Sequence, residues 1–349
     1  MFFYVINPSS LTAVGMLETV TSVVWNVQFF GLNEFEITLS ANENNMDLCD
    51  IGCYLCRDSD YDGKTYQNVM IIQKKSLSFN MESGWKMTLS GYGLKSVLNY
   101  RVVWEQINLT GNLESSIRSV VSQNAGLPDD STRAIPTLTF ADPIGLEAES
   151  DIQVFSEKIG DWISNLAKQY GFGWDIYINA ANSMLVFTLK NGTDRSGAGN
   201  ETPVIFSTDL DNLYSFEYFF DSTTNYNTAL VGGEGEGTDQ RTTMAGGGTW
   251  LNRREIYIDG SSVSSNGEII DLPTYMEILK SYGLENLQKM KTEKTFSCEI
   301  EPFGIFKLNH DFFNGDIIKI SAAGIETTAR ITEIIYSEDA SGEKTTVTL

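Results

Sequence analysis

At 349 residues, with 42% apolar and 11% aromatic side chains, the chain can bury sizeable cores in two or three domains and is too apolar for a disordered protein. Its 46 Asp and Glu against 24 Lys and Arg give a net charge of −22, which excludes a basic surface that grips nucleic acid or anionic membrane. Apolar runs fall far short of the roughly 20 residues that span a bilayer, and the opening MFFYVI lacks the basic n-region and cleavage site of a signal peptide. A soluble chain that folds in the cytoplasm where it is made, without membrane insertion, is expected.

Thirty glycines against seven prolines, with many Thr, Tyr and Phe, lean towards β structure. Residues 24–27, 34–40, 66–73, 76–80 and 85–90 read as strands, with a turn at DYDGK (60–64). Leu94, Val97, Leu98 and Val102 then recur at the spacing of a short helix.

From residue 104 to 202 the pattern changes to α+β. Thr110 is expected to cap a helix carrying Leu113, Ile117, Val120 and Val121, closed by Gly126 and Pro128. A second helix carries Phe155, Ile159, Trp162, Ile163, Leu166 and Tyr170 and stops at Gly171. Strands follow at 172–178 and 184–190, and NGTDRSGAGNE (191–201) reads as a surface loop. Strands resume at 203–206 and 213–220. Pro273 opens a helix with Ile278, Leu279, Tyr282 and Leu287, in which Gly283 argues against one unbroken element. Residues 295–301, 316–320, 327–336 and 345–349 close the chain as strands, with SEDASGEK (337–344) as a hairpin turn.

The stretch 226–260 reads as a strand, a mobile glycine-rich loop and a second strand, whose Ile256 and Ile258 face the core and Glu255, Tyr257 and Asp259 the solvent. GxGxG within it invites a phosphate-loop reading. Glu234 and Glu236 between the glycines would repel phosphate, and no helix pattern follows, so nucleotide binding is set aside.

Cys49, Cys53 and Cys56 copy a C-x3-C-x2-C cluster spacing. DIGCYLCRD reads as a strand that sends Cys53 and Cys56 to opposite faces, so these are expected to be small core residues. His310 is the sole histidine, with Cys298 the nearest cysteine in sequence, and neither lies in a nucleophile motif. Trp25, Trp85 and Trp162 sit in apolar patterns and are assigned to the core, while Trp250 is expected to be exposed. The sequons at Asn108 and Asn191 carry no meaning without a secretion signal.

Five stretches in order, SVVWNVQFFGLNEFEITLS (22–40), LSGYGLKSVLNYRVV (89–103), ALVGGEGEG (229–237), NRREIYIDG (252–260) and GDIIKI…ARITEIIYS (315–337), resemble the siphophage tail-hub proteins, relatives of the baseplate hub of contractile tails. DGSSVSSNGEI (259–269) departs from the aspartate-rich stretch that often follows the RRE strand. The resemblance implies a mainly β fold of two tube-like β-barrel domains: residues 1–103 as the first part of the hub, 104–202 as an α+β insertion, and 203–349 completing the scaffold. It implies a homotrimeric ring in the virion that continues and closes the tail tube. Its partners would be a distal tail or tube protein, the tape measure protein, and tip, fibre or receptor-binding proteins, with DNA only as passing cargo.

No catalysis, cofactor or metal is expected; the competing readings are a carbohydrate-binding receptor module and a cell-wall hydrolase. The expected interface element is the loop with Gly232, Gly233, Glu234, Gly235, Glu236, Gly237 and Arg241, together with Trp250, Arg253 and Arg254. A long loop poor in side chains can order against a partner, at roughly 1–2 kcal/mol of backbone entropy per residue.

Overall fold

The computed structural model describes residues 1–17, 19–82, 84–198, 201–265, 270–290 and 293–349. Part of the 191–201 loop and the end of the 259–269 stretch lie outside the described residues. The fold is mainly β, with 43% strand against 21% helix. The chain divides into two compact units, Glu217–Ser297 and Met1–Phe216 with Cys298–Leu349.

The larger unit is built on a six-stranded antiparallel sheet. Its order is Gly342–Thr348, Glu333–Asp339, Val20–Gln28, Glu34–Ser40, Gly84–Tyr92 and Lys74–Asn80. Period-two alternation sorts the Glu34–Ser40 strand: Phe35, Ile37 and Leu39 are buried, while Glu34, Glu36 and Ser40 face out. Trp25 lies opposite both Phe35 and Tyr336, so the two ends of the chain meet in one core.

Several local expectations change in detail. The predicted strand 327–336 is two strands: Ile325–Arg330 pairs with Ile317–Ala322, and Glu333–Asp339 joins the large sheet. Residues 66–73 hold only two-residue strands, Thr65–Tyr66 and Met70–Ile71, interrupted where Asn68 takes φ +49°. The final hairpin turns at 339–342, its ladder running through most of 337–344. Trp85 is exposed and packs on Phe79, because the Lys74–Asn80/Gly84–Tyr92 hairpin extends past the core.

In the 104–202 segment Asn112, not Thr110, caps the first helix. The Asn112 side chain accepts from the Ser115 amide at 3.0 Å, while Thr110 is committed to a strand opposite Asp151. That helix, Leu113–Val121, passes into a π turn at Ser122–Gly126. The second, Ile159–Tyr170, ends at Gly171 with φ +75°; Phe155 lies before it and is exposed. The apolar faces of these helices, Ile117, Val121, Ile163 and Leu166 among them, join a core that also takes in Ile6, Cys56, Leu94 and Leu98. The segment therefore shares its core with the first hundred residues.

Candidate functional site

The smaller unit holds the glycine-rich stretch. Thr228–Gly232 is the central strand of a three-stranded sheet, antiparallel to Thr242–Gly246 and parallel to Glu255–Asp259. The sequence expectation of one mobile loop between two strands is thus corrected: the stretch itself supplies a strand. Ala229, Val231, Ala245 and Ile258 bury one face of this sheet against Tyr275, Leu279 and Leu287. The last three lie on the single helix Leu272–Lys289, unbroken at Gly283.

The GxGxG segment is stitched down. The Glu234 carboxylate accepts from the Ser265 amide at 2.6 Å, the Ser265 hydroxyl at 2.7 Å and the Ser264 hydroxyl at 3.2 Å. Arg241 Nη1 stands 3.4 Å from it. The Ser265 amide is the largest influence among the groups that hold this carboxyl below the usual glutamate range. The backbone closes the same knot, with Gly233 N donating to Arg241 O and Arg241 N to Glu234 O, both at 2.8 Å. The Glu234 amide donates to the Tyr275 hydroxyl at 2.8 Å.

These contacts account for the glycines. A Cβ on Gly232 would lie 2.1 Å from the Tyr257 hydroxyl, and one on Gly233 2.3 Å from that of Tyr275. Gly235 and Gly237 take φ +98° and +59°, a region that penalises side chains. Glu236 is exposed beside them. The candidate residues therefore fall into two groups, with Gly232, Gly233, Glu234 and Arg241 turned inward on their own unit and Gly235, Glu236 and Gly237 exposed at the turn.

The second group faces out. Trp250 is 91% exposed at φ +54°, followed by the exposed Leu251. The Arg253 guanidinium pairs with Glu255, and the Arg254 guanidinium donates to the Ser222 carbonyl. Sequence reasoning missed two residues here. Asn227 clasps the segment, accepting from Gly247 N at 2.9 Å and, through Oδ1, from Arg254 N at 3.0 Å. On the outer sheet face, Leu230 lies opposite both Met244 and Tyr257, an apolar row that is about half exposed throughout. The alternation that sends Tyr257 to solvent, with the even parity of Leu230 in the central strand, is what signalled that row.

Elsewhere, Cys49 packs in the core of the large sheet and Cys56 in the core shared with the 104–202 segment. Burial pushes the Cys49 thiol up to about 11 and that of Cys56 further still. His310 is exposed, its Nδ1 2.8 Å from Asp311 Oδ1.

The family model for Siphovirus ReqiPepy6 Gp37-like protein matches residues 2–349. The chain belongs to that family. No match was found among curated proteins. Among solved structures, the tail protein from Neisseria meningitidis MC58 aligns with TM-score 0.57 at 12% identity, covering 100% of this chain and 96% of that one. The 43 kDa tail protein of prophage MuSo2 from Shewanella oneidensis aligns with TM-score 0.58 at 10% identity, covering 100% and 98%. A chain of the phage P2 baseplate in its activated conformation gives 0.50 at 10% identity, covering 99% and 98%. The family's fold is that of phage tail and baseplate-hub proteins.

Proposed function

We propose that the chain is a structural hub of a siphophage tail tip, assembling as a homotrimer whose ring continues and closes the tail tube. The observation that carries this reading is the full-length likeness to tail and baseplate proteins, end to end in both chains of each pair. The ring lets DNA pass: a chain of net charge −22 offers a polyanion little to hold it. The hub binds a distal tail or tube protein and the tape measure on one side and carries tip, fibre or receptor-binding proteins on the other. It works in the virion after synthesis in the host cytoplasm, and no catalytic step is assigned to it. The division into 1–103, an insertion at 104–202 and 203–349 belongs to the same reading, with the insertion packed on the core of the first part.

Within the assembly, the outward group of the small unit serves as the docking element. The half-exposed row of Met244, Leu230 and Tyr257 and the exposed Trp250 and Leu251 of the same unit are the kind of apolar surface that marks protein contact. Deleting the loop would remove the Thr242–Gly246 strand, so point changes are the sound test. Light scattering across protein and salt concentration should give three times the 38.8 kDa chain mass. Met244→Asp should leave the fold intact and lose the trimer or its docking to the tube. A stable dimer, which cannot close a threefold ring, would overturn the hub reading.

A further inference from the structure

A cavity of about 430 Å³ in the larger unit takes no part in the docking element, and its volume falls in the range of small-molecule sites. Its wall is polar and already held in place. Arg57 binds Asp60 through two bonds of 2.7 and 2.9 Å, and Asn68 Nδ2 donates to Asp60 at 3.1 Å. Asn309 Nδ2 donates to the Tyr336 hydroxyl at 3.2 Å, and Asn314 Nδ2 to the Val27 carbonyl at 3.1 Å. In Asn68 and Asn309 the amide nitrogen is engaged while the carbonyl oxygen accepts from no described group; the Asn314 oxygen is closed off from solvent and does not face the cavity. Asn68 and Asn309 also sit at φ +49° and +63°, a strained conformation that recurs at ligand clamps.

Charge narrows the ligand. Arg57 neutralises Asp60, and Lys190 neutralises the buried Asp175 at 2.6 Å. Asp62 remains, bonded to its own turn, so the lining is slightly negative and disfavours an anion. Among the lining groups without a described partner, the Asn68 and Asn309 carbonyls accept and the Ser59 hydroxyl can donate or accept, which suits a ligand of neutral hydroxyls. Phe313, 42% exposed, and Tyr61, stacked on Tyr66, supply apolar faces beside them. A second hollow of about 770 Å³ shares Ser59, Asn309 and Tyr336, leaving room for more than one ring.

We propose that this cavity binds a neutral saccharide, its hydroxyl groups donating to the carbonyl oxygens of Asn68 and Asn309 and its C–H faces resting on Tyr61 and Phe313. The site is independent of ring assembly and stands or falls separately from the hub reading.

The test uses the whole chain and a panel of glucose, galactose, N-acetylglucosamine, N-acetylgalactosamine and their disaccharides, with galacturonate and a sugar phosphate as anionic comparators. Binding is followed by saturation-transfer NMR and titration calorimetry. Asn68→Gly and Asn309→Gly keep the backbone, because glycine tolerates positive φ, and remove the amides. At least one neutral sugar should bind saturably with a Kd of roughly 1 mM or tighter, and each glycine variant should weaken it about tenfold. Thermal unfolding of both variants should match the parent. The proposal is overturned if no neutral sugar binds up to roughly 20 mM, about twenty times the expected Kd. It also fails if the anionic sugars bind better, or if both variants bind like the parent.

Discussion

Gly283 and Val231 meet so closely that a Cβ built on Gly283 would lie 2.4 Å from Val231 Cγ2. The same atom would stand 2.8 Å from the Ala245 Cβ. Mid-helix glycine, costing about 1 kcal/mol against alanine in an exposed helix, is thus the residue that lets the helix approach the sheet. Gly283→Ala should gain helix propensity and lose more to overpacking, for a net destabilisation of roughly 1–2 kcal/mol. Denaturant unfolding checks it, and an unchanged or raised midpoint would show that the sheet yields to the extra methyl.

Thiol reactivity should separate the cysteines. Cys49, Cys56 and Cys298 are buried, and burial raises the thiol pKa of Cys298 to about 12. Cys53 alone is partly exposed. Since the thiolate is the reactive form, a disulfide reagent at pH 8 should label no more than Cys53 in the folded chain and all four cysteines in denaturant. Rapid native labelling of a second cysteine would contradict the packing described.

Glu234 is a pH-dependent tie. Its carboxyl is held low, so its contribution is fully present above the unfolded value of 4.5 and is lost as pH falls through the lower folded value. Glu234→Gln should therefore lower the stability of the small unit at pH 7, and the gap between variant and parent should shrink progressively as pH falls below 4.5. A gap of equal size at pH 3 would mean that the ionised form is not what Ser264 and Ser265 hold.

What the sequence discloses is what is local. Phe35, Ile37 and Leu39 announce their strand by alternation alone, and Gly171 announces a helix end. Thr242–Gly246 gives no such signal: TTMAG buries only Ala245, and that burial comes from pairing with Ala229 and from the helix beyond it. Trp85 shares the parity of Met87 and Leu89 and is exposed because its strand outruns the core, a tertiary fact. The inward half of the candidate site was hidden for a related reason. Glu234 reads as a phosphate-repelling surface charge until Ser265, 31 residues on, folds against it.

Lys95 offers the opposite pH signature. It is 1% exposed, and its ammonium donates to the Gln28 carbonyl at 2.9 Å and stands 3.4 Å from that of Trp174, with the Trp174 ring centroid 5.3 Å away. Burial pushes its pKa down to about 8; Asp175 opposes that shift and Lys190 adds to it. An unfolded lysine titrates near 10.5, so between pH 8 and 10.5 the unfolded chain keeps a proton that the folded chain has released. Stability should rise with pH across that window, because the cost of the buried charge is present below it and relieved above. Relative to Lys95→Met, the parent should gain on the order of 1–3 kcal/mol of unfolding free energy between pH 7.5 and 10.5. Subtracting the variant removes the tyrosines and other lysines common to both curves. If the difference stays flat, the Lys95 ammonium is accommodated by the two carbonyls and the Trp174 ring without a depressed pKa, and the lysine is a fixed clamp rather than a titrating one.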